Sequence, residues 1–174
     1  HVPSGTFREM IGFHDGPDVR LVPIKELSRA YRNVLNRKSS LHKLSYVDLE
    51  SKQLLKKVFS DDMNTSKGMN TTPKNVFITR GSQMAIFMLS EILLQRDDLV
   101  IVGEVDYYYA CKSFTHAGAK LVKVKIDDQG IDVEQIEGIC KKKKIRAGYV
   151  TAHHHFPTTV TLSAARRMKL LSLS

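Results

Sequence analysis

Val76-Phe77-Ile78-Thr79-Arg80-Gly81-Ser82-Gln83, followed by the apolar run 84–95 and then by Leu99-Val100-Ile101-Val102, decides the fold. Residues 76–79 read as a short apolar strand, Gly81-Ser82-Gln83 as a turn, 84–95 as an apolar helix, and 99–102 as a fully apolar strand. The same rhythm continues downstream. A helix is expected over 107–117, a strand over 120–126 carrying Leu121, Val122, Val124 and Ile126, a helix over 132–142, a strand over 147–151, and a helix from 161 onward. Strands that alternate with helices through short connections predict an α/β fold with an open, mainly parallel sheet and helices on both faces. Unbroken apolar strands fit burial on both faces.

Upstream the text changes. Residues 1–23 are rich in Gly and Pro and read as an extended arm. Over 23–37 a Pro near the start precedes Ile24, Leu27, Tyr31, Val34 and Leu35 at helical spacing. A second helix is expected over 49–63, with Leu54, Leu55, Val58 and Phe59 on one side, and 61–73 reads as a polar, turn-rich linker. The expected organisation is therefore an N-terminal arm with helices over 1–65 and an α/β unit over 70–174. The chain opens at His1 without Met and closes inside a helical pattern of Leu162, Met168, Leu170, Leu171 and Leu173 with no stop signal. A piece cut from a longer protein at both ends is the expectation.

Composition narrows the classes. Of 174 residues, 42% are hydrophobic and 26% charged, which excludes wholesale disorder. The formal net charge of +9 is compatible with phosphate-bearing ligands or nucleic acid, but the cations are scattered. The one tight run, 141–144, follows a predicted helix, where cations suit the C-terminal dipole. Cys111 and Cys140 lie far apart, with no CxxC or Cys/His spacing, so neither a disulfide framework nor a metal site is indicated. No stretch approaches the roughly 18 apolar residues of a membrane span. A soluble, cytoplasmic protein with no membrane partner is expected.

Three places offer chemistry. In an open α/β sheet ligands gather at the carboxyl ends of strands. At the turn 79–83, a helix starting at Ser82 directs free N–H groups and a positive dipole at that edge, and Gly81 lets the backbone approach an anion. Ser82 either donates to that anion or simply caps the helix. Directly after the strand 99–102 stands Glu104-Val105-Asp106-Tyr107-Tyr108-Tyr109. One of these rings either stacks on a flat ligand or packs the following helix. After the strand 147–151 comes Thr151-Ala152-His153-His154-His155-Phe156-Pro157-Thr158-Thr159. Side chains alternate in an extended segment, so only His153 and His155 share a face, and no Cys, Asp or Glu cluster completes a metal site. These imidazoles either hydrogen-bond a ligand or fill a loop. Together the three strand ends describe a pocket for a flat, phosphorylated, polar heterocycle.

The stretch 76–85 resembles the T-x-G-x-Q-x-A segment of class I aminotransferases, enzymes of fold type I that depend on pyridoxal 5′-phosphate (PLP). The resemblance implies that Gly81, Ser82 and Gln83 bind the PLP phosphate. The segment beginning at Glu104 is similar to the family's E-x-P-x-Y, which gives Tyr108 the stacking role and places Asp106 where proline is usual. Residues 149–167 resemble V-T-P-x-H-Q-x-P-T-G-x-T-(L/M)-S-x-x-R-R, the mark of the aminotransferase-like domain of MocR-type (GntR-family) transcription regulators. His154 takes the place of the motif histidine, while Ala152, His155 and Thr159 replace Pro, Gln and Gly. Ile11-Gly12-Phe13-His14-Asp15-Gly16-Pro17-Asp18 looks like the arm that passes the substrate pocket. Ser45-Tyr46-Val47-Asp48 resembles Y-G-D-P-x-G, whose tyrosine reaches the phosphate in the neighbouring subunit, so Tyr46 is a candidate acting in trans.

The resemblance implies the N-terminal part of a PLP-binding domain, with the Schiff-base lysine beyond residue 174 and no catalytic residue within the chain. It implies a homodimer that takes a small amino compound as substrate or effector, with PLP in the full-length parent and weak or absent binding by this piece. DNA would be contacted only through a winged helix-turn-helix outside the chain. An effector-sensing domain of a MocR-type regulator is the expected parent. The alternatives are a genuine class I/II aminotransferase acting on a small amino acid and a Rossmann-like module that binds no PLP.

Overall fold

The structure, a computed structural model, describes residues 18–36 and 49–173. The chain divides into two units, His1–Phe77 and Ile78–Ser174.

In the first unit Asp18 starts a single turn at Val19–Leu21, accepting from the Arg20 amide at 3.0 Å and gripping its guanidinium at 2.7 and 2.8 Å. Helix α1 (Ile24–Leu35) follows Pro23, and its apolar positions stay solvent-exposed. Helix α2 (Leu49–Lys67) is longer than its apolar pattern predicts and takes in part of the expected linker. The reason is a polar clasp. Ser60 is buried and donates to the Thr71 carbonyl at 2.9 Å, while the Asn64 carboxamide donates to that carbonyl at 2.8 Å and accepts from the Thr71 amide at 2.7 Å. The chain leaves α2 through Gly68 and folds back along it.

The second unit begins with α3 (Ser82–Leu93), then β1 (Leu99–Gly103), α4 (Tyr108–His116) and β2 (Lys120–Val124). A two-residue ribbon, β3 (Ile126–Asp127) with β4 (Gly130–Ile131), leads to α5 (Val133–Cys140), β5 (Ala147–Gly148) and α6 (Ala164–Leu171). The main sheet is parallel in the order β2-β1-β5, with Leu99 opposite Lys120 and Val100 opposite Ala147.

Alternation along β1 builds two cores. Val100 and Val102 pack with Leu94, Ala110, Phe114 and Ala119 on the face covered by α3 and α4. Ile101 points the other way, into Val124, Ile131, Val133, Ile136 and Leu162. Helices therefore cover both faces, as an unbroken apolar strand requires. Burying three side chains of β1 completely is worth roughly 5 kcal/mol before conformational entropy is subtracted.

Several expected elements differ; the strand 147–151 is reduced to β5, Ala147–Gly148. Residues 76–79 are not a strand: Val76 is extended, but no strand pairs with the run, and Phe77 and Ile78 are exposed. The expected strand 120–126 breaks at Lys125, because β2 follows β1 whereas β3 turns away to pair antiparallel with β4. The last helix starts at Ala164, where the Ser163 hydroxyl caps it by accepting from the Arg166 amide. Among the described residues no helix is long and apolar enough to cross a membrane.

Candidate functional site

Because β1, β2 and β5 are parallel, their carboxyl ends share one edge. At the end of β1 the chain turns sharply into α4. Asp106 fixes that turn: its carboxylate is buried and accepts from the Gly103 amide at 2.9 Å and the Tyr107 amide at 2.8 Å. A proline would stiffen this position through its ring, and here two charge-assisted hydrogen bonds do so.

The tyrosines that follow divide their work. Tyr107 packs against the core. Tyr108 and Tyr109 are more than half exposed and meet edge to face, 5.4 Å between centroids, and the Lys112 ammonium sits 5.3 Å from the centre of the Tyr108 ring. Tyr107 also meets Phe156 edge to face at 6.3 Å, which joins the β1 turn to the loop after β5.

At the start of α3, Gly81 takes φ 87°, and no side chain caps the helix. The first-turn amides of a helix have no intrahelical acceptor, so these donors and the helix dipole face outward. A Cβ at Gly81 would meet nothing within 4 Å, so the space before the helix is open. The Thr79 hydroxyl donates to the Gly81 carbonyl at 2.8 Å and shapes the approach. Gln83 does not point out of the helix end. Its Nε2 donates to the Tyr109 carbonyl at 3.2 Å and to the Ser113 hydroxyl at 3.0 Å, and its Oε1 is buried without a partner. This carboxamide ties the start of α3 to the start of α4, and so holds the open helix end beside the exposed tyrosines.

The histidines separate. His153 faces the Arg167 guanidinium at 3.1 Å and His154 is exposed, in the left-handed region at φ 49°. His155 is buried. Its Nδ1 lies 2.9 Å from the Thr158 hydroxyl, and its Nε2 has no hydrogen-bond partner and stands 3.6 Å from an Asp106 oxygen. His153 and His155 thus do not share a face, because the loop is not extended. The histidine in contact with the β1 turn is His155, which the spacing alone did not single out. Thr159 also adopts a left-handed φ, 60°, at the position where the motif carries glycine.

A small cavity of about 10 Å³, room for one water molecule, lies between Asp106, Gly130, Tyr149, Thr151 and His155. Burial pushes the Tyr149 phenol above its ordinary value, and the Asp106 charge adds to this, although a hydrogen bond from Thr151 opposes it. Burial likewise raises the half-buried Cys111 thiol above its ordinary value. No group of three or more His, Cys, Asp or Glu among the described residues is arranged to hold a metal ion. Of the sequence candidates, Gly81, Ser82 and Gln83 open α3, Tyr108 opens α4 directly after the β1 turn, and His154 lies in the loop after β5. Tyr46 and the arm before residue 18 lie outside the described residues.

No family model matches the chain. It is 25% identical over 169 residues to the probable rhizopine catabolism regulatory protein MocR of Rhizobium meliloti, covering 97% of this chain and 33% of that protein. It is 22% identical over 163 residues to aromatic-amino-acid aminotransferase 1 of Thermococcus litoralis, covering 91% of this chain and 39% of the relative. Among solved structures, an archaeal alanine:glyoxylate aminotransferase superposes with a TM-score of 0.76 at 26% identity, covering 90% of this chain and 40% of the other. The chain spans less than half the length of the curated relatives it matches, between 21% and 44%.

Proposed function

We propose that this chain, which has the fold of the fold-type-I PLP-dependent aminotransferases and whose homologues include both MocR-type regulators and aminotransferases, is the cofactor-cradling part of an effector-sensing MocR-type regulator. The observation that carries the cofactor reading is the open, uncapped start of α3, bound through Gln83 to the helix that presents Tyr108.

The residues present fit a phosphorylated planar ring. The outward amides from Ser82 onward and the Ser82 hydroxyl would take the phosphate, with Gly81 leaving the approach clear. Tyr108 would cover one ring face, and the adjacent Lys112 keeps the local field positive. Gln83 would act by holding these two parts together rather than by direct contact. His154 lies exposed in the loop that borders Tyr107 through Phe156, and is the candidate for contact with the substituents of the ring. Tyr46 would complete the phosphate site of a partner subunit. When bound, PLP supplies an electron sink for an amino compound. This segment supplies only anchoring and orientation, and the lysine that would hold the cofactor covalently is not among these residues. Similarity along 149–167 to the regulator pattern favours a sensor over an enzyme.

Thermal denaturation with PLP and with pyridoxal, which lacks the phosphate, tests the reading. A ligand that binds only the native state raises stability by mass action. PLP should raise the midpoint, pyridoxal should not, and Gly81→Val should abolish the difference. Equal effects of the two ligands would sink the phosphate assignment. Borohydride treatment followed by peptide mapping should label lysines sparsely, whereas stoichiometric labelling of one lysine would show that the chain builds its own covalent site.

A further inference from the structure

The parallel register also defines a second edge, opposite the candidate site. Leu99 opens β1 opposite Lys120 at the start of β2, and Ala147 opens β5 opposite Val100. Two backbone hydrogen bonds sew the entrances together: the Lys120 amide donates to the Asp98 carbonyl at 2.8 Å, and the Arg146 amide to the Leu99 carbonyl at 2.9 Å. The fold thereby gathers Arg96, Lys120, the run Lys141-Lys142-Lys143-Lys144 and Arg146, which are separated in sequence, onto one border.

The ion pairs at this border do not neutralise it. Asp97 is shared by Lys120 at 2.7 Å and Arg96 at 3.9 Å. Asp98 accepts from the Gln95 amide at 2.8 Å and stands 3.8 Å from Arg146. Lys141 pairs with Glu137 at 2.6 Å, and Glu137 is also engaged by Lys169. Among the described residues no acidic side chain pairs with Lys142, Lys143 or Lys144, which are all exposed. The C-terminal dipole of α5 offers about half a charge, which Lys141 already answers, so the other three ammonium groups are in excess.

We infer that the amino edge of the sheet is a docking surface for the phosphate backbone of duplex nucleic acid. Three strands about 4.8 Å apart spread the charge over roughly 10 Å. One DNA strand carries a phosphate about every 3.4 Å of axis, and the three unpaired lysines, consecutive in the connection from α5 to β5, can neutralise about three of them. A lipid surface fits less well, since insertion needs exposed apolar side chains. Leu93, exposed at the end of α3, lies beside Arg146, which donates to its carbonyl at 2.8 Å, but the run 141–146 carries none of the large exposed hydrophobic residues. The contact would be independent of sequence and would act beside any separate DNA-reading domain. It uses no residue of the candidate cofactor site, so its failure would leave that reading intact.

The test is fluorescence anisotropy of the 174-residue chain with a fluorescein-labelled 20-base-pair duplex, at salt from 50 to 200 mM. Binding should weaken with a log–log slope near −3, at about 0.9 per phosphate neutralised. The triple variant Lys142→Glu, Lys143→Glu, Lys144→Glu should lose at least tenfold in affinity and most of the slope, with an unchanged circular dichroism spectrum because these side chains are exposed beyond α5. Lys25→Glu, Arg29→Glu, Arg32→Glu on α1 makes the same change in net charge and should stay within twofold of the wild type. No binding at 50 mM, an equal loss in the α1 variant, wild-type binding by the lysine variant, or equally tight binding to phosphatidylserine vesicles would each overturn the inference.

Discussion

At the residue scale, Thr159 shows where local chemistry and fold disagree. A β-branched side chain in the left-handed region is strained by about 1–2 kcal/mol, and glycine relieves that strain but adds about 0.5–1 kcal/mol of unfolded-state entropy. Thr159 is exposed and has no side-chain role to lose. Thr159→Gly should therefore stabilise the chain by about 0.5–1 kcal/mol, read as a higher urea midpoint with an unchanged slope. A lower midpoint would mean that the loop needs the threonine. Gln83 runs the other way. Gln83→Ala removes two hydrogen bonds between α3 and α4 and should cost about 1–2 kcal/mol. If the carboxamide also holds the phosphate cradle against Tyr108, the same variant should bind PLP several-fold more weakly, while a purely structural Gln83 would leave the affinity of the folded fraction unchanged.

At the element scale, α6 is pinned to the β3–β4 ribbon by one side chain. Arg166 forms a bidentate pair with Asp127 at 2.6 and 2.7 Å and also donates to the Gly130 carbonyl at 2.9 Å. These hydrogen bonds hold the Asp127 carboxyl below its ordinary value of 3.8. Hydrogen bonds from Lys141 and Lys169 lower Glu137, and one from Lys169 lowers Glu134, in the same α5–α6 seam. A carboxylate depressed in the folded state stabilises it above the unfolded value, and loses that contribution as pH falls through the folded one. The wild type should thus lose stability as pH drops below about 4, and the gap between wild type and Asp127→Asn should close there. Melts at pH 7, 4 and 2.5 check this, and a gap that stays constant with pH would remove the ion pair from the account. The pairs are exposed, so the effect is modest. Gly130 in the same ribbon tolerates no side chain. At φ 95° an added Cβ would stand 2.9 Å from the Leu162 backbone, so Gly130→Ala should cost about 2 kcal/mol or more.

The α5–α6 seam also marks the limit of what the sequence reveals. The alternation of strand and helix from residue 99 onward is legible, because burial on both faces forces unbroken apolar runs such as 100–102. The fate of 76–79 is not, since an apolar run becomes a strand only if a neighbour is there to pair with it. Nor is the length of α2, which rests on Ser60 and Asn64 bonding Thr71 at separations of eleven and seven residues, outside any hydrophobic period. At the site, the ends of β1 and β5 and the residue types beyond them are legible, whereas the turn 79–83 follows no strand. That His155 and not His154 is buried depends on left-handed turns at 154 and 159, which only the closed loop reveals.

At the scale of the whole molecule, the decisive fact is how much apolar surface stays uncovered. Helix α3 is apolar over most of its surface apart from Ser82, Gln83, Ser90 and Glu91, close to the pattern of a helix that is buried all round. Its inner face meets the β1 core, but Leu89, Leu93 and Phe87 remain exposed and Ile92 is 73% exposed. Close by, a groove of about 240 Å³ runs along Ile86, Leu89, Leu93, Val100 and Tyr149, and β5 leaves one side of the sheet unpaired. Uncovered apolar area of this kind drives association in water. In light scattering across a tenfold range of concentration, the chain should show a mass above that of one copy, rising with concentration. Leu89→Lys with Ile92→Lys should shift it towards the monomer without loss of helix signal, because both side chains already face solvent. A monodisperse monomer at every concentration would mean that α3 is stable in water with its apolar face open. The homodimer that the family resemblance implies would then have to be built from surfaces other than this one.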